Sequence, residues 1–583
     1  MTEARQETTS RDLLALALVT AIAAIPLLGG RVLGGHDIIN YLIIAQQTAA
    51  NLREGLVFPA WAGGFNAGFG SPLLIFFPPL TGYLNALALL AGTPAIAAVC
   101  GSALIAHFLS GVAMLWWLRS IGVGRSAVPA AIVYMAAPYR LVDLYLRSAL
   151  GEHWAFLWPP LILGVASSRR LRAPARVGLL AVLVAALVTT NLPLAVLFGI
   201  ALSAWFMCSG RLRGLRLTIV LGAAIGFANA AFALVPQALA AALLNLEHCF
   251  GTAAAKMRPS ANTLFADGFT DWSVNTALSL VLLAGCAIVL IAYLLVPWPG
   301  RRQRGPRLAL LAAAVCLGAA VGPAGKAWEA LPVLSELQFP WRTTAVVTLL
   351  AAALVAQLPP RRAWLVAAIA GSLALPALIW NRTVPSSKFR SERPPAAAPG
   401  SVFPDPEAVW ESGSGGWYWR HDNLVELCLL PASMKSSMMR EFAGGREPAF
   451  DSIRGRPAAL TEAPTASVSV REWGQASRRV EVDSPTESTM IWRVLDFPAM
   501  VVAVDQTEVP STADPSTGLV RHQLPRGRHV VTWSWRPFPA LARARAVSLA
   551  GFGATFCLLV AAWADRRRAD AGAAPAAARF QAE

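Results

Sequence analysis

The chain has 583 residues, 56% of them hydrophobic and 14% charged, with a formal net charge of +16. So little charge excludes a water-soluble globule of this length. The runs of Ala, Leu, Val and Ile are too long and too uniformly apolar for barrel strands, which leaves membrane-spanning helices of about 20 residues.

The first apolar run covers residues 13–28; no small-residue cleavage site follows, so it is read as a retained helix. A Gly-rich polar stretch, 29–71, then forms a first loop. Further runs cover 72–91, 95–118, 127–137, 154–166, 177–207 (interrupted at Thr189-Thr190-Asn191-Leu192-Pro193), 217–240, 277–296, 308–321, 344–356, 363–379 and 546–562. Together they predict an all-α polytopic membrane protein with about 12–13 transmembrane helices. Arginine clusters at 169–176, 211–216, 301–307, 361–362 and 566–568 lie between these runs. The positive-inside rule makes them cytoplasmic loops, a better account of the charge than a nucleic acid partner. Residues 139–153, 189–193, 245–272, 323–342 and 380–545 then fall on the opposite face.

Beyond residue 380 the composition turns to Pro, Ser, Gly and charge, and hydrophobicity alternates with period two at 468–470, 480–482 and 530–533, with a turn at 524–528. The expected organisation is a transmembrane domain over 1–380, with 29–71 as its first extracytoplasmic loop. An extracytoplasmic β-sandwich-like domain over 381–545, a last transmembrane helix over 546–563 and a disordered cytoplasmic tail over 564–583 complete it. Five of the seven cysteines (Cys100, Cys208, Cys286, Cys316, Cys557) lie in apolar runs; Cys249 and Cys428 do not, which leaves room for one disulfide.

Four stretches carry ionisable or aromatic residues at expected membrane depth. In the first, His36-Asp37 opens a short amphipathic helix with Ile38, Leu42, Ala45, Ala49 and Leu52 on one face. Asp37 is either its N-cap or a general base at the bilayer edge. Trp61, with Phe58, Phe76 and Phe77, reads as an interfacial anchor. The second stretch, Pro138 to His153, holds Arg140, Asp143, Arg147, Glu152 and His153 between two short spans; such groups are functional suspects, although Asp143 is also spaced to pair with Arg140 or Arg147. The third is Phe339-Pro340-Trp341-Arg342, whose arginine either clamps a phosphate or snorkels. The fourth, Trp417-Tyr418-Trp419-Arg420, suits a sugar ring or an interfacial belt. Walker A, HExxH and βαβ-borne GxGxxG motifs are absent, which argues against an ATP-driven pump, a zincin and a dinucleotide enzyme.

In order, Asp37, Gly55…Pro59-Ala60-Trp61, Gly68-Phe69-Gly70-Ser71-Pro72, Phe77-Pro78-Pro79-Leu80, Pro138-Tyr139-Arg140…Asp143…Tyr145…Arg147…Glu152, Phe339-Pro340-Trp341-Arg342 and Leu524-Pro525-Arg526-Gly527-Arg528-His529 resemble the YfhO-like and "6-pyruvoyl-tetrahydropterin synthase-related" bacterial membrane proteins. Both groups resemble the GT-C glycosyltransferase superfamily. The resemblance implies a GT-C-like fold in a bacterial inner membrane. It further implies an inverting transferase that moves sugar from a polyprenyl-phosphate donor to an envelope glycan or lipid. Asp37 is the implied base, with Asp143 and Glu152 as further catalytic carboxylates. Arg140, Arg147 and Arg342 are the implied phosphate ligands, and His36, Tyr139, Trp341 and Asn191 the implied substrate contacts. Asn191 departs from the family, where histidine is common. A divalent cation is compatible with such a site, but no ligand cluster requires one. Two other classes stay open: a transporter or flippase of a lipid-linked saccharide, and a non-catalytic envelope-assembly protein.

Overall fold

The computed structural model describes residues 9–580 except 64–69, 169, 210–213, 241–257, 267–271, 298–299, 301–302, 336, 387–458, 462–465, 515–518 and 538. Cys249, Cys428 and the 417–420 aromatic run fall outside the described residues.

Among the described residues, seven helices are long and apolar enough to cross a membrane, or nine if each of two bent pairs is one span. Three shorter apolar helices, Pro79–Leu90, Leu192–Cys208 and Pro340–Val355, accompany them. This is a multi-pass membrane protein, with fewer full-length spans than the apolar runs suggested. The outward faces carry exposed Leu14, Leu18, Val220, Leu311 and Phe556, an apolar surface suited to lipid.

Backbone breaks account for the shortfall. Residues 72–91 divide at Phe77-Pro78 into Leu73–Phe76 and Pro79–Leu90, because proline disfavours helix before it and starts one well. The run 217–240 bends by 63° between Arg216–Asn229 and Ala231–Leu239. There the amide of Phe232 donates to Ser548 Oγ (2.8 Å), Ser548 Oγ donates to the Ala228 carbonyl (3.1 Å), and Asn229 Nδ2 donates to Thr555 Oγ1 (3.1 Å). Side chains of the last helix thus insert into the ladder and set the kink. That helix spans Pro539–Phe580, continuing through the Ala-rich residues expected to form a disordered tail; alanine has the strongest helix propensity. The break at 189–193 is as expected: helices Ala173–Thr190 and Leu192–Cys208 meet at Asn191, whose Oδ1 caps the second by accepting from the Leu194 amide (2.9 Å).

Contacts between neighbouring helix ends mark each end of the bundle. At one end Asp12 meets Arg119 (3.2 Å), Arg172 meets Asp565 (3.8 Å), and Arg362 donates to the Leu295 carbonyl. The first loop lies at the other end. Its strand β1 (Arg31–Leu33) pairs antiparallel with β2 (Thr383–Pro385), directly after the helix Pro360–Ile379.

The C-terminal strands form two antiparallel sheets. One has the order β3-β6-β10-β9 and the other β4-β5-β11-β7-β8, with β3 Ala459–Thr461, β4 Ser467–Trp473, β5 Ser477–Ser484, β6 Ser488–Leu495, β7 Met500–Val504, β8 Thr507–Val509, β9 Ser511–Ala513, β10 Leu519–Leu524 and β11 Gly527–Trp535. Alternate residues of both sheets (Val480, Val482, Trp492, Val502, Val520, Val531, Trp533) share one core, the expected β-sandwich. That core also contains Ala60, Trp61 and Ile75 from the first loop and the short helix behind it. Trp61 is 1% exposed and stacks on Trp535 at 5.4 Å. The expectation of an interfacial anchor is therefore corrected: the indole plugs the β domain. Hydrogen bonds secure the same junction. Gln475 Oε1 accepts from the Gly63 amide (2.9 Å), and the Gln475 amide donates to the Glu54 carboxylate (2.8 Å).

Trp61→Ala should cost about 3–5 kcal/mol, the usual range for emptying a buried aromatic site. In thermal unfolding of the whole protein in lipid it lowers the midpoint well below that of Trp364→Ala, which truncates a residue that is 48% exposed.

Candidate functional site

The sequence from Pro138 to His153 is an inward-folded, largely helical segment rather than a loop. A helix over Pro138–Val142 passes into a π-helical turn over Asp143–Arg147, then reverses at Ser148, and a second helix runs over Leu150–Ala155. Ser148 has a left-handed backbone (φ 54°), and so does Gln338 (φ 57°), just before Pro340-Trp341-Arg342. Non-glycine residues in this region cost of order 1–3 kcal/mol and gather at functional sites.

Between these two strained points lies a buried ion cluster centred on Glu152 (1% exposed). Glu152 Oε2 accepts from Tyr139 Oη (2.7 Å) and lies 2.8 Å from Arg147 Nη1; Glu152 Oε1 accepts from Arg342 Nε (2.8 Å). Arg147 Nη1 also meets Asp143 Oδ1 (2.8 Å), and Arg342 Nη1 donates to the Leu337 carbonyl (2.9 Å). Trp341 is 2% exposed and lies against both guanidiniums, with Arg147 Cζ 4.7 Å and Arg342 Cζ 5.8 Å from its ring centroid. Burying so many charges is tolerable only because nearly every one has an opposite charge or hydrogen bond in contact.

Arg140 stands deeper and apart. Wholly buried, it directs Nη2 at His107 Nδ1 (3.5 Å) and His153 Nε2 (3.4 Å), whose rings stack 5.4 Å apart, and its Cζ lies 4.3 Å from the Phe156 ring centroid. A guanidinium can only donate, so both facing imidazole nitrogens accept.

The first loop is laid over this cluster. The Asp37 amide donates to the Arg147 carbonyl (2.8 Å), and the Gly35 amide to Ser148 Oγ (3.0 Å). A Cβ on Gly35 would lie 2.7 Å from Arg147 and Ser148 backbone atoms, so only glycine permits the approach. The helix that follows, Ile38–Arg53, forms as its amphipathic pattern predicts. Asp37 occupies its N-cap position, but the side chain makes no capping hydrogen bond. Instead Oδ2 lies 3.7 Å from Arg147 Nη2, with the side chain 37% exposed. Four residues on, Tyr41 Oη accepts from the Gly151 amide (2.8 Å) and binds this helix to the Glu152 segment.

Chain positions 36 to 342 thus meet in one place, but their surroundings differ. Asp37 and His36 sit at the accessible rim. Tyr139, Asp143, Glu152 and Trp341 are buried within the cluster, and Arg147 and Arg342 are 8–10% exposed at the side chain, bound to its carboxylates. Asn191 is occupied in capping a helix. Two contributors escaped the sequence reading. His107 is a lone histidine in the apolar helix Ala95–Ser120, a signal in itself. Arg382, partly exposed beside β2, donates from its amide to the Tyr145 carbonyl (3.3 Å) and directs its guanidinium to His36 Nε2. Among the described residues no group of three His, Cys, Asp or Glu is arranged to hold a metal ion.

No family model matches the sequence, and no curated protein matches it. Two solved structures are similar, both cryo-EM structures of the arabinofuranosyltransferase AftD from Mycobacteria. One aligns over 92% of this chain and 40% of that chain, at 13% identity and a TM-score of 0.42. The other, of a mutant, aligns over 64% of this chain and 27% of that chain, at 17% identity and a TM-score of 0.39. This chain therefore spans less than half the length of either.

Glu152→Gln removes a charge that two buried arginines share. Leaving a buried ion uncompensated costs about 3–5 kcal/mol. The variant should unfold at a clearly lower temperature than Glu481→Gln, which breaks a solvent-screened surface ion pair with Arg471.

Proposed function

We propose that the protein is a GT-C-type membrane glycosyltransferase that moves a sugar from a polyprenyl-phosphate donor to a cell-envelope glycan or lipid. The observation that carries this reading is the contrast among the three carboxylates. Asp143 and Glu152 are buried and paired with arginine, whereas Asp37 is 37% exposed at the rim, its backbone pinned by the Arg147 carbonyl. A carboxylate fixed at an opening, with the others committed behind it, suits a general base. The order of motifs, which resembles the GT-C superfamily, supports the same conclusion.

In this reaction Asp37 takes the proton of the acceptor hydroxyl as its oxygen attacks the anomeric carbon. The anomeric C–O bond to phosphate breaks, and the electron pair leaves on the polyprenyl phosphate, with inversion at the anomeric carbon. The buried arginines have a different part: Arg147 and Arg342 hold Glu152, and through Tyr139 and Trp341 they fix the wall on which the first loop rests. Under the positive-inside rule the arginine-bearing end, with Arg119, Arg172 and Arg362, is cytoplasmic. The Asp37 rim and the β domain then face the extracytoplasmic side of a bacterial inner membrane.

The test is release of radiolabelled sugar from a panel of polyprenyl-phosphate sugars by the purified protein in lipid, with crude envelope acceptors present. Asp37→Asn keeps shape and removes charge, so it should fold as wild type and lose about 100- to 10,000-fold in rate, the usual worth of a general base. Transfer by Asp37→Asn at the wild-type rate would remove Asp37 from the chemistry. Movement of intact donor across the bilayer without cleavage would make the protein a transporter.

A further inference from the structure

A second basic site lies at the end of the bundle away from the first loop, where three helix termini meet. The helix Trp272–Leu295 ends there, and Ala127–Ala136 and Pro360–Ile379 begin there. Between them is an open cleft of about 1370 Å³, lined by Arg125, Arg361 and Arg362 with Val296 and three prolines. Its walls are tied together. Ser126 Oγ donates to the Leu358 carbonyl (2.7 Å), and Arg362 Nη1 donates to the Leu295 carbonyl (2.7 Å). Arg125 and Arg361 are exposed, and neither meets a carboxylate among the described residues. The segments that build the cleft, 119–132, 291–312 and 353–372, contain no aspartate or glutamate. Arg361 and Arg362 also stand in the first turn of their helix, where the positive end of the dipole opposes a cation and no acidic residue offsets it.

We propose that this cleft binds the phosphate headgroup of an anionic membrane phospholipid. The positive-inside rule explains why arginines gather on one face of the membrane, but not why three of them line one concave space. Like charges so placed repel one another, and a bound anion relieves the repulsion. A phosphodiester has two charged oxygens, so one can meet Arg125 while the other meets Arg361 on the facing wall. Basic pockets between membrane helices are a recurrent setting for such headgroups. A lipid fits better than a soluble phosphate because of depth. Trp364 and Leu365, 48% and 52% exposed, directly follow the arginines, and Leu373 is exposed two turns further along the same helix. An exposed tryptophan marks headgroup level, and the leucines give the acyl chains an apolar flank. The site is separate from the Glu152 cluster: Pro360–Ile379 has 20 residues, about 30 Å of helix, between the cleft and β2 at the rim. A headgroup held by both walls joins Ala127–Ala136 to Pro360–Ile379 and stabilises the folded bundle by mass action.

The test needs no knowledge of the reaction. The purified full chain in neutral detergent is titrated with phosphatidylglycerol or phosphatidylcholine, and bound lipid is counted by native mass spectrometry. Phosphatidylglycerol should bind more tightly than phosphatidylcholine, whose phosphate is offset by a choline cation. Arg125→Gln and Arg361→Gln should each weaken phosphatidylglycerol about ten- to a hundredfold, the size of one charged hydrogen-bonded contact. Lysine at either position should restore part of the loss. Arg172→Gln removes another exposed arginine from the same end, one paired with Asp565 rather than lining the cleft, and should bind as wild type. A loss in Arg172→Gln equal to that in Arg125→Gln would reduce the effect to general surface charge and overturn the site. Equal binding of the two lipids by wild type would overturn it as well. Inorganic phosphate that displaces phosphatidylglycerol at no higher concentration than the lipid's own would make the ligand a soluble phosphate, and the lipid assignment would fall.

Discussion

The architecture of this site depends on one buried anion. Glu152 is in contact with Arg147, five residues back on the same inward fold, and with Arg342, 190 residues further along the chain. In the interior of a helical bundle neither the carboxylate nor the guanidiniums can hydrate, so each is stable only where the others are. This mutual requirement brings the Pro138–His153 segment to the Phe339–Arg342 turn, holds Ser148 and Gln338 in left-handed conformations, and presses Trp341 flat against two cations. It also exposes the Arg147 carbonyl and the Ser148 hydroxyl in fixed positions, and these are the groups that receive the first loop. The position of Asp37 follows from that of Glu152.

The first loop is tied at its far end as well. The helix Ile38–Arg53 is about 24 Å long at 1.5 Å per residue. Asp37 stands at its start, and Glu54, Gly63 and Trp61 join the β domain beyond its finish. Trp61 occupies the β-sandwich core, so the sandwich is completed by residues from the other end of the sequence. Strand pairing of β1 with β2 ties the start of the first loop to the end of the helix Pro360–Ile379. The β domain and the rim are therefore linked through the helix Ile38–Arg53. A domain that hung from a flexible linker would leave Asp37 supported on one side only.

Much of this was legible in the sequence because lipid imposes strict rules. Apolar run lengths gave the helices, alternation gave the strands β4, β5 and β11, and the density of charge between Pro138 and His153 marked the cluster, since ionisable residues at that depth are rare. Partners were less legible. Spacing within a helix suggests Asp143 with Arg147, which the structure contains, but nothing local links Glu152 to Arg342. Trp61 illustrates the same limit: a tryptophan near a membrane boundary usually anchors at the interface, and only the tertiary fold offers it a β-sheet core. Arg382 was missed because it follows a span as other flanking arginines do; its pairing with His36 depends on a strand register set by residues about 350 positions away. The bend near Ala230 lies six residues before Pro236, and its contacts come from Ser548 and Thr555 on the last helix.

The placement of Asp37 depends on the Glu152 cluster acting as a coupled unit. The most direct measurement is a double-mutant cycle on the whole protein in lipid, comparing Glu152→Gln, Arg342→Gln and the double variant by reversible unfolding. If the two residues hold each other in a dry interior, the double variant is less destabilised than the sum of the singles by more than about 1 kcal/mol, the size typical of contacting residues in one ionic network. Additive effects within about 0.5 kcal/mol would mean that the two charges do not depend on one another. The placement of Asp37 would then have to rest on something other than this buried anion.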